Sequence, residues 1–257
     1  MSGNKESYDL ICSLGGNCSA AHNLRYRNLR VDAYPFDWTY FSSDKAVEML
    51  IEGFEKNFVN YMQKDNLKLL PKNIEHVNKY QYEDTYGHLV WANHFSKKIA
   101  NERYFLKIKK KYEQRFERLI NKIKKSRKIL FIFSVNYETD MKIYLKLLSS
   151  LKNLYPNKDF YIKILAFNCC VDVILNEETV ELRKYKRDMN NYDFTKTNFE
   201  WKFLDDVKIS SCNNKLVRFY RTKNFVQILV FENLKKIFEL KLLLCGKILK
   251  FSIGKGE

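Results

Sequence analysis

KILFIFSVNYETDMKIYLKLLSSLKNLYPNKDFYIKILAFN, running from Lys128 to Asn168, decides the fold class. It opens with KILFIFSV, a nearly unbroken apolar run of strand length, rich in aromatic and β-branched side chains. ETDMKIYLKLLSSLKNLY then reads as a helix, and DFYIKILAFN as a second strand. A strand, a helix and a strand in this order predict a right-handed crossover between parallel strands. Upstream, Tyr8 to Leu14 reads as another buried strand, Gly15-Gly16-Asn17 as a turn, and about Cys18 to Asn28 as a helix. Together these units predict an α/β fold: a central, mostly parallel sheet with helices on both faces, a Rossmann-like three-layer sandwich.

The remaining segments are read around this frame. In AYPFDW, Ala33 to Trp38, Pro35 pushes Tyr34 out of the helical region, so the piece is extended or turning. A helix is expected from about Asp44, with Ser42 or Ser43 as its cap. Residues 64–98 are polar and aromatic, suited to short strands and loops, with a strand in HLVWANHF. Residues 101–125 make the strongest helix: Tyr104, Ile108, Tyr112, Phe116, Leu119, Ile120 and Ile123 line one face and Lys/Arg cover the other. Residues 171–215 are mixed, and Phe225 to Leu244 read as a terminal helix with wide apolar coverage. The expected organisation is an α/β domain over residues 1–215 and a helical extension packed on it over residues 216–257.

Composition narrows the class. Hydrophobic residues make up 46% of the 257, enough to build a core and too many for a disordered chain. The six cysteines form no CxxC pair and no disulfide framework, and metal-ligand spacing is missing around Cys18, His22 or the Cys169-Cys170 pair. No cofactor or metal is therefore expected. The polar N-terminus does not read as a signal peptide and no apolar run has the length of a membrane span, which points to a cytoplasmic protein. The formal charge is +16, and residues 101–128 carry twelve Lys/Arg against three Glu. Such a face suits a polyanion, an acidic glycan or a nucleic acid, although no nucleic-acid-binding motif accompanies it. A non-catalytic polyanion-binding protein that uses this helix is one reading of the whole chain.

The other reading is chemical. Cys18 stands where a strand stops and a helix starts. The unpaired amides and the dipole of a helix N-terminus favour a thiolate there. Gly15 and Gly16 let backbone approach a ligand, and the amides of Asn17 and Cys18 are then placed to hold an oxyanion. A phosphate cradle would need the dinucleotide fingerprint or the P-loop lysine, and neither is present. From the residues alone Cys18 reads first as an inert buried thiol, since one cysteine after a strand is not specific. Of the four histidines, His22 lies one turn after Cys18 on the same helix face, while His88 and His94 sit in the aromatic stretch YGHLVWANHFS.

YDLICSLGGNCSAAHNLRYRNLRVDAYPFDWTY, Tyr8 to Tyr40, resembles the opening of a largely bacterial family of unknown function whose members are described as papain-like cysteine peptidases. The likeness extends to about residue 140 through NHF at Asn93–Phe95, the basic helix and KILFIF. It implies Cys18 as nucleophile and His94 as base, in a hydrolase or acyl transferase that forms a thioester acyl-enzyme on a peptide, amide or acyl substrate. It also makes transfer onto a surface polysaccharide conceivable. Asp37, in PFDW, belongs to the family signature. Asn136, Glu138 and Asp140 are candidates for the orienting third residue, and a papain-like α+β layout is the alternative fold.

Overall fold

The structure is a computed structural model. It describes residues 5–71, 80–186 and 199–210, together with the backbone of four strands between residues 217 and 253; for residues 92–94 and 199 the backbone alone is described. The chain divides into two compact units, residues 1–209 and 210–257.

The first unit begins with β1 (Glu6–Tyr8), β2 (Leu10–Gly15), α1 (Ser19–Tyr26), β3 (Thr39–Phe41) and α2 (Lys45–Glu55). It continues through β4 (Leu67–Leu69), β5 (Tyr80–Asp84), β6 (Leu89–Phe95), α3 (Glu102–Lys125), β7 (Lys128–Val135), α4 (Met141–Leu154) and β8 (Asp159–Ala166). β9 (Val173–Glu177), β10 (Val180–Lys184), a 3-10 helix at Phe199–Asp206 and β11 (Val207–Ile209) complete it. The central sheet has the order β2-β7-β8-β10-β9. β2, β7, β8 and β10 are parallel to their neighbours, and β9 closes one edge antiparallel. This is the mostly parallel α/β sheet that the strand–helix–strand segment predicts.

Alternation along the strands divides the core. Leu10, Cys12, Leu14, Phe131, Phe133, Ile162 and Ile164 face a cluster built with α2, α3 and α4. Ile11, Leu130, Ile132 and Leu165 face the other way, onto Ala20 and Leu24 of α1 and onto Trp201 and Leu204 of the 3-10 helix. With both faces covered, β7 has no solvent side, which is why its sequence is a continuous apolar run and not an alternating one. Each fully buried side chain of this kind contributes roughly 1.5–3 kcal/mol.

The helices start where local chemistry permits. The Asn101 side chain accepts the Tyr104 amide at 2.9 Å and caps α3, and Asp140 caps α4 by accepting the Lys142 amide at 3.0 Å. On α3 the expected apolar face is buried, except that Tyr104 stays half-buried at its edge and Phe105 takes the inner place. α2 begins after Asp44, not after a serine cap. Asp44 makes no cap bond; its carboxylate instead accepts Thr139 Oγ1, tying α2 to the loop before α4.

Within residues 64–98, the described strands β4, β5 and β6 join β3 in a second, antiparallel sheet of order β3-β6-β5-β4. The buried carboxylate of Asp84 organises its hairpin, accepting the amides of Met62 and Gly87 and the indole N–H of Trp91 at 3.0–3.1 Å. The second unit corrects the expectation of a terminal helix and of a helical extension. It contains β12 (Val217–Arg221), β13 (Gln227–Phe231), β14 (Phe238–Leu244) and β15 (Lys247–Ile253), an antiparallel meander. Broad apolar coverage fits either periodicity, and β14 alternates Phe238, Leu240, Leu242 and Leu244, so composition alone did not separate helix from strand. Among the described residues no helix is long and apolar enough to cross a membrane.

Candidate active site

The site forms at the carboxyl end of β2, the end of a parallel strand at which α/β proteins place their ligands. Gly15 and Gly16 turn the chain there with φ of +103° and +97°, a region that favours glycine. Their bare Cα atoms also meet a packing need. A Cβ on Gly15 would lie 2.6 Å from Thr39 Oγ1 and 2.8 Å from the Phe41 ring, and one on Gly16 would lie 2.2 Å from the Ser134 carbonyl oxygen. The bare Cα atoms admit β3 and β7 themselves. The Phe41 amide then donates to the Gly16 carbonyl at 3.1 Å, joining β3 to the turn.

Asn17 is fully buried and knits the turn to β7. Its Oδ1 accepts the Ser19 amide at 2.9 Å as well as the Ser19 hydroxyl, and its Nδ2 donates to Asn136 Oδ1 at 2.7 Å. Ser19 Oγ and Ser134 Oγ are 2.7 Å apart. Asn17 thus acts through its side chain at the head of α1.

Cys18 follows, half-buried, with its Sγ 3.7 Å from the hydroxyl of Tyr40 on β3. The expected acidification of this thiol does not prevail. Burial pushes it above the ordinary thiol range, and the Tyr40 hydroxyl and its own backbone amide offset this only in part. The Ser19 amide, one of the first-turn donors, is taken by Asn17 Oδ1 at 2.9 Å.

The other sequence candidates are placed as follows. His22 is half-buried one turn along α1, and its amide donates to the Cys18 carbonyl at 3.0 Å. His94 belongs to β6, which pairs with β3 in the register Tyr40 to Val90; it falls between Trp91 and Phe95, where the pairing with β5 shifts. Its side chain, and with it the Cys18–His94 contact, lies outside the described residues. Asp37 is buried and holds the PFDW turn: its Oδ2 accepts Arg30 Nε at 3.0 Å, Arg30 Nη2 at 2.5 Å and the Tyr34 amide at 2.8 Å. Burial raises its carboxyl, with the Arg30 charge opposing. Asn136 meets Asn17. Glu138 pairs with Lys184 on β10 at 3.1 Å, and Asp140 caps α4, so these two carboxylates serve the fold at their own positions.

Residues 9–170 match the family model described as "Putative papain-like cysteine peptidase (DUF1796)", well over half of the chain. The chain belongs to this family. No curated protein matches the chain, and no solved structure does. The matched span holds the whole candidate site, from the strand before Cys18 to the loop after β8, and leaves the second unit outside. Three contributors were not visible in the sequence reading. Ser134 and the linking role of Asn17 depend on β2 and β7 lying side by side, and Tyr40 reaches Cys18 only because β3 docks on the glycine turn. Tyr40 ends the stretch that resembles the family opening, but nothing in its spacing from Cys18 marks it.

Proposed function

We propose that this protein is a cysteine-nucleophile enzyme of acyl transfer. Cys18 attacks a carbonyl carbon, His94 takes the thiol proton and returns it to the leaving group, and water, an amine or an alcohol resolves the acyl-enzyme. The observation that carries the reading is the seat of Cys18. Cys18 is half-buried at the carboxyl end of a buried strand and its sulfur lies against a hydroxyl, in contrast to the buried Cys12 within that strand. Family membership supports the class of chemistry. The acyl group and its acceptor are unassigned.

The test uses the full chain and p-nitrophenyl acetate, followed by mass spectrometry of the peptides. Acetylation is expected on Cys18 and is lost in Cys18→Ala. His94→Gln slows it by about a hundredfold or more, while His22→Gln leaves it near wild type. Acetyl spread evenly over the cysteines, or unchanged in His94→Gln, overturns the assignment.

A second reading concerns α3. Arg103, Lys107, Lys110 and Lys111 are exposed on the side away from its buried stripe, whereas Lys122 is engaged by Asp32 at 3.4 Å and Lys64 binds Glu102. This face is proposed as a polyanion contact. Retention on heparin that falls with salt and is unchanged by Cys18→Ala supports it, and loss of retention in Lys107→Glu with Lys110→Glu locates it.

A further inference from the structure

We propose that Tyr40 is a further residue of the active site: its phenol holds the Cys18 sulfur and donates its hydrogen bond to the thiolate formed when the base removes the thiol proton. The inference rests on the reading of Cys18 as a nucleophile.

Three observations converge on Tyr40. Its hydroxyl lies 3.7 Å from Cys18 Sγ, within reach for a hydrogen bond to sulfur. Both of its chain neighbours are locked to the turn that carries Cys18. The Thr39 Oγ1 and Phe41 ring occupy the space that a Gly15 side chain would fill, and the Phe41 amide is bonded to the Gly16 carbonyl. Thr39 is itself fully buried, its hydroxyl donating to the Phe36 carbonyl at 3.0 Å. Tyr40 is therefore held from either side, with little freedom to leave the sulfur. The third observation is the register of the small sheet. Tyr40 pairs with Val90 on β6, the strand that also carries His94, so one antiparallel sheet presents the phenol and carries the proposed base.

The chemistry balances without a further reactant. The base takes the proton as the S–H bond breaks, and the electron pair stays on sulfur. Tyr40 keeps its own proton and turns its O–H toward the anion. Sulfur then forms the S–C bond while the carbonyl π pair moves to oxygen, and the phenol is released as sulfur loses its charge. Hydrogen bonds to charged groups are the strong ones, so a single phenol matters most while the thiolate exists. Among the described residues the titratable group at the sulfur is Tyr40 on β3, and the next on the same helix is His22, one turn along α1.

The experiment is iodoacetamide alkylation of the full chain across a pH series, with modification at Cys18 read by mass spectrometry. In Tyr40→Phe the rate at neutral pH should fall about tenfold with the midpoint moved up, while the alkaline plateau is unchanged. With 4-aminophenylalanine at position 40, which restores a donor on the same ring, the rate should recover part of the difference. 4-Aminophenylalanine fills the same space as tyrosine, and 4-methylphenylalanine, which fills that space without a donor, should stay as slow as Tyr40→Phe, so packing alone does not account for a recovery. A Tyr40→Phe profile that superimposes on wild type overturns the proposal, and so does an aminophenylalanine protein no faster than Tyr40→Phe. Acetylation by p-nitrophenyl acetate is measured alongside. Its absence in the wild type, with the alkylation profile still shifted in Tyr40→Phe, removes the enzyme reading and leaves the Tyr40–Cys18 hydrogen bond standing.

Discussion

Asn17 Nδ2 donates to Asn136 Oδ1 at 2.7 Å across 119 residues of chain. One amide ends the turn before the candidate nucleophile; the other follows β7, the strand next to β2 in the sheet. The bond joins the head of α1 to the end of β7 beside Cys18, so the cysteine turn is tied to one of the three residues that the sequence offered as candidates for the orienting third residue.

Removing that partner tests the arrangement. Asn136→Ala leaves the buried Nδ2 of Asn17 without its acceptor and is expected to destabilise the fold by about 1–3 kcal/mol. Urea unfolding of the two proteins measures the difference. A midpoint unchanged from wild type would show that the amide pair does not hold the turn.

Gly16→Ala is expected to cost more. Its φ of +97° strains any L side chain, and the new Cβ would meet the Ser134 carbonyl oxygen at 2.2 Å, a backbone atom that moves only with β7. A loss of at least about 2 kcal/mol is expected from strain and overlap together. Thermal unfolding reads it, and the same variant should lose selective acetylation of Cys18 because the turn that carries it is pushed off β7. An alanine tolerated here without a drop in stability would contradict the close approach of the two strands.

Alkaline pH should unfold the protein through its buried phenols. Burial raises Tyr8, Tyr34, Tyr112 and Tyr144 above the ordinary tyrosine range, with nearby carboxylates adding to it at several of these positions. Above a pH of about 10 the unfolded chain gives up phenolic protons that the folded chain retains. The contribution of these groups to stability is complete below that pH and is lost as pH climbs through the folded-state values. The expected result is a denaturation midpoint that falls steadily above about pH 10, with tyrosinate absorbance appearing together with unfolding. Tyrosinate that develops before the loss of structure would mean that these hydroxyls are open to solvent.

What the sequence determined by itself was the layered α/β core and the address of the cysteine. Apolar runs at β2 and β7 and the largely apolar β8, separated by amphipathic helices, are the pattern of a mostly parallel sheet covered on both faces, and that pattern is local enough to be read directly. The glycine pair before Cys18 was legible as well, although its packing role was not. Tertiary structure decided the rest, because it concerns residues that meet across long stretches of chain. It closed the glycine turn around β3, set Asn136 on Asn17, engaged Glu138 with Lys184 and Asp140 with α4, and raised the thiol through burial that no spacing rule reports. It also resolved the apolar C-terminal segment into strands, since cross-strand pairing, which no single window contains, decides between two periodicities that composition leaves equal.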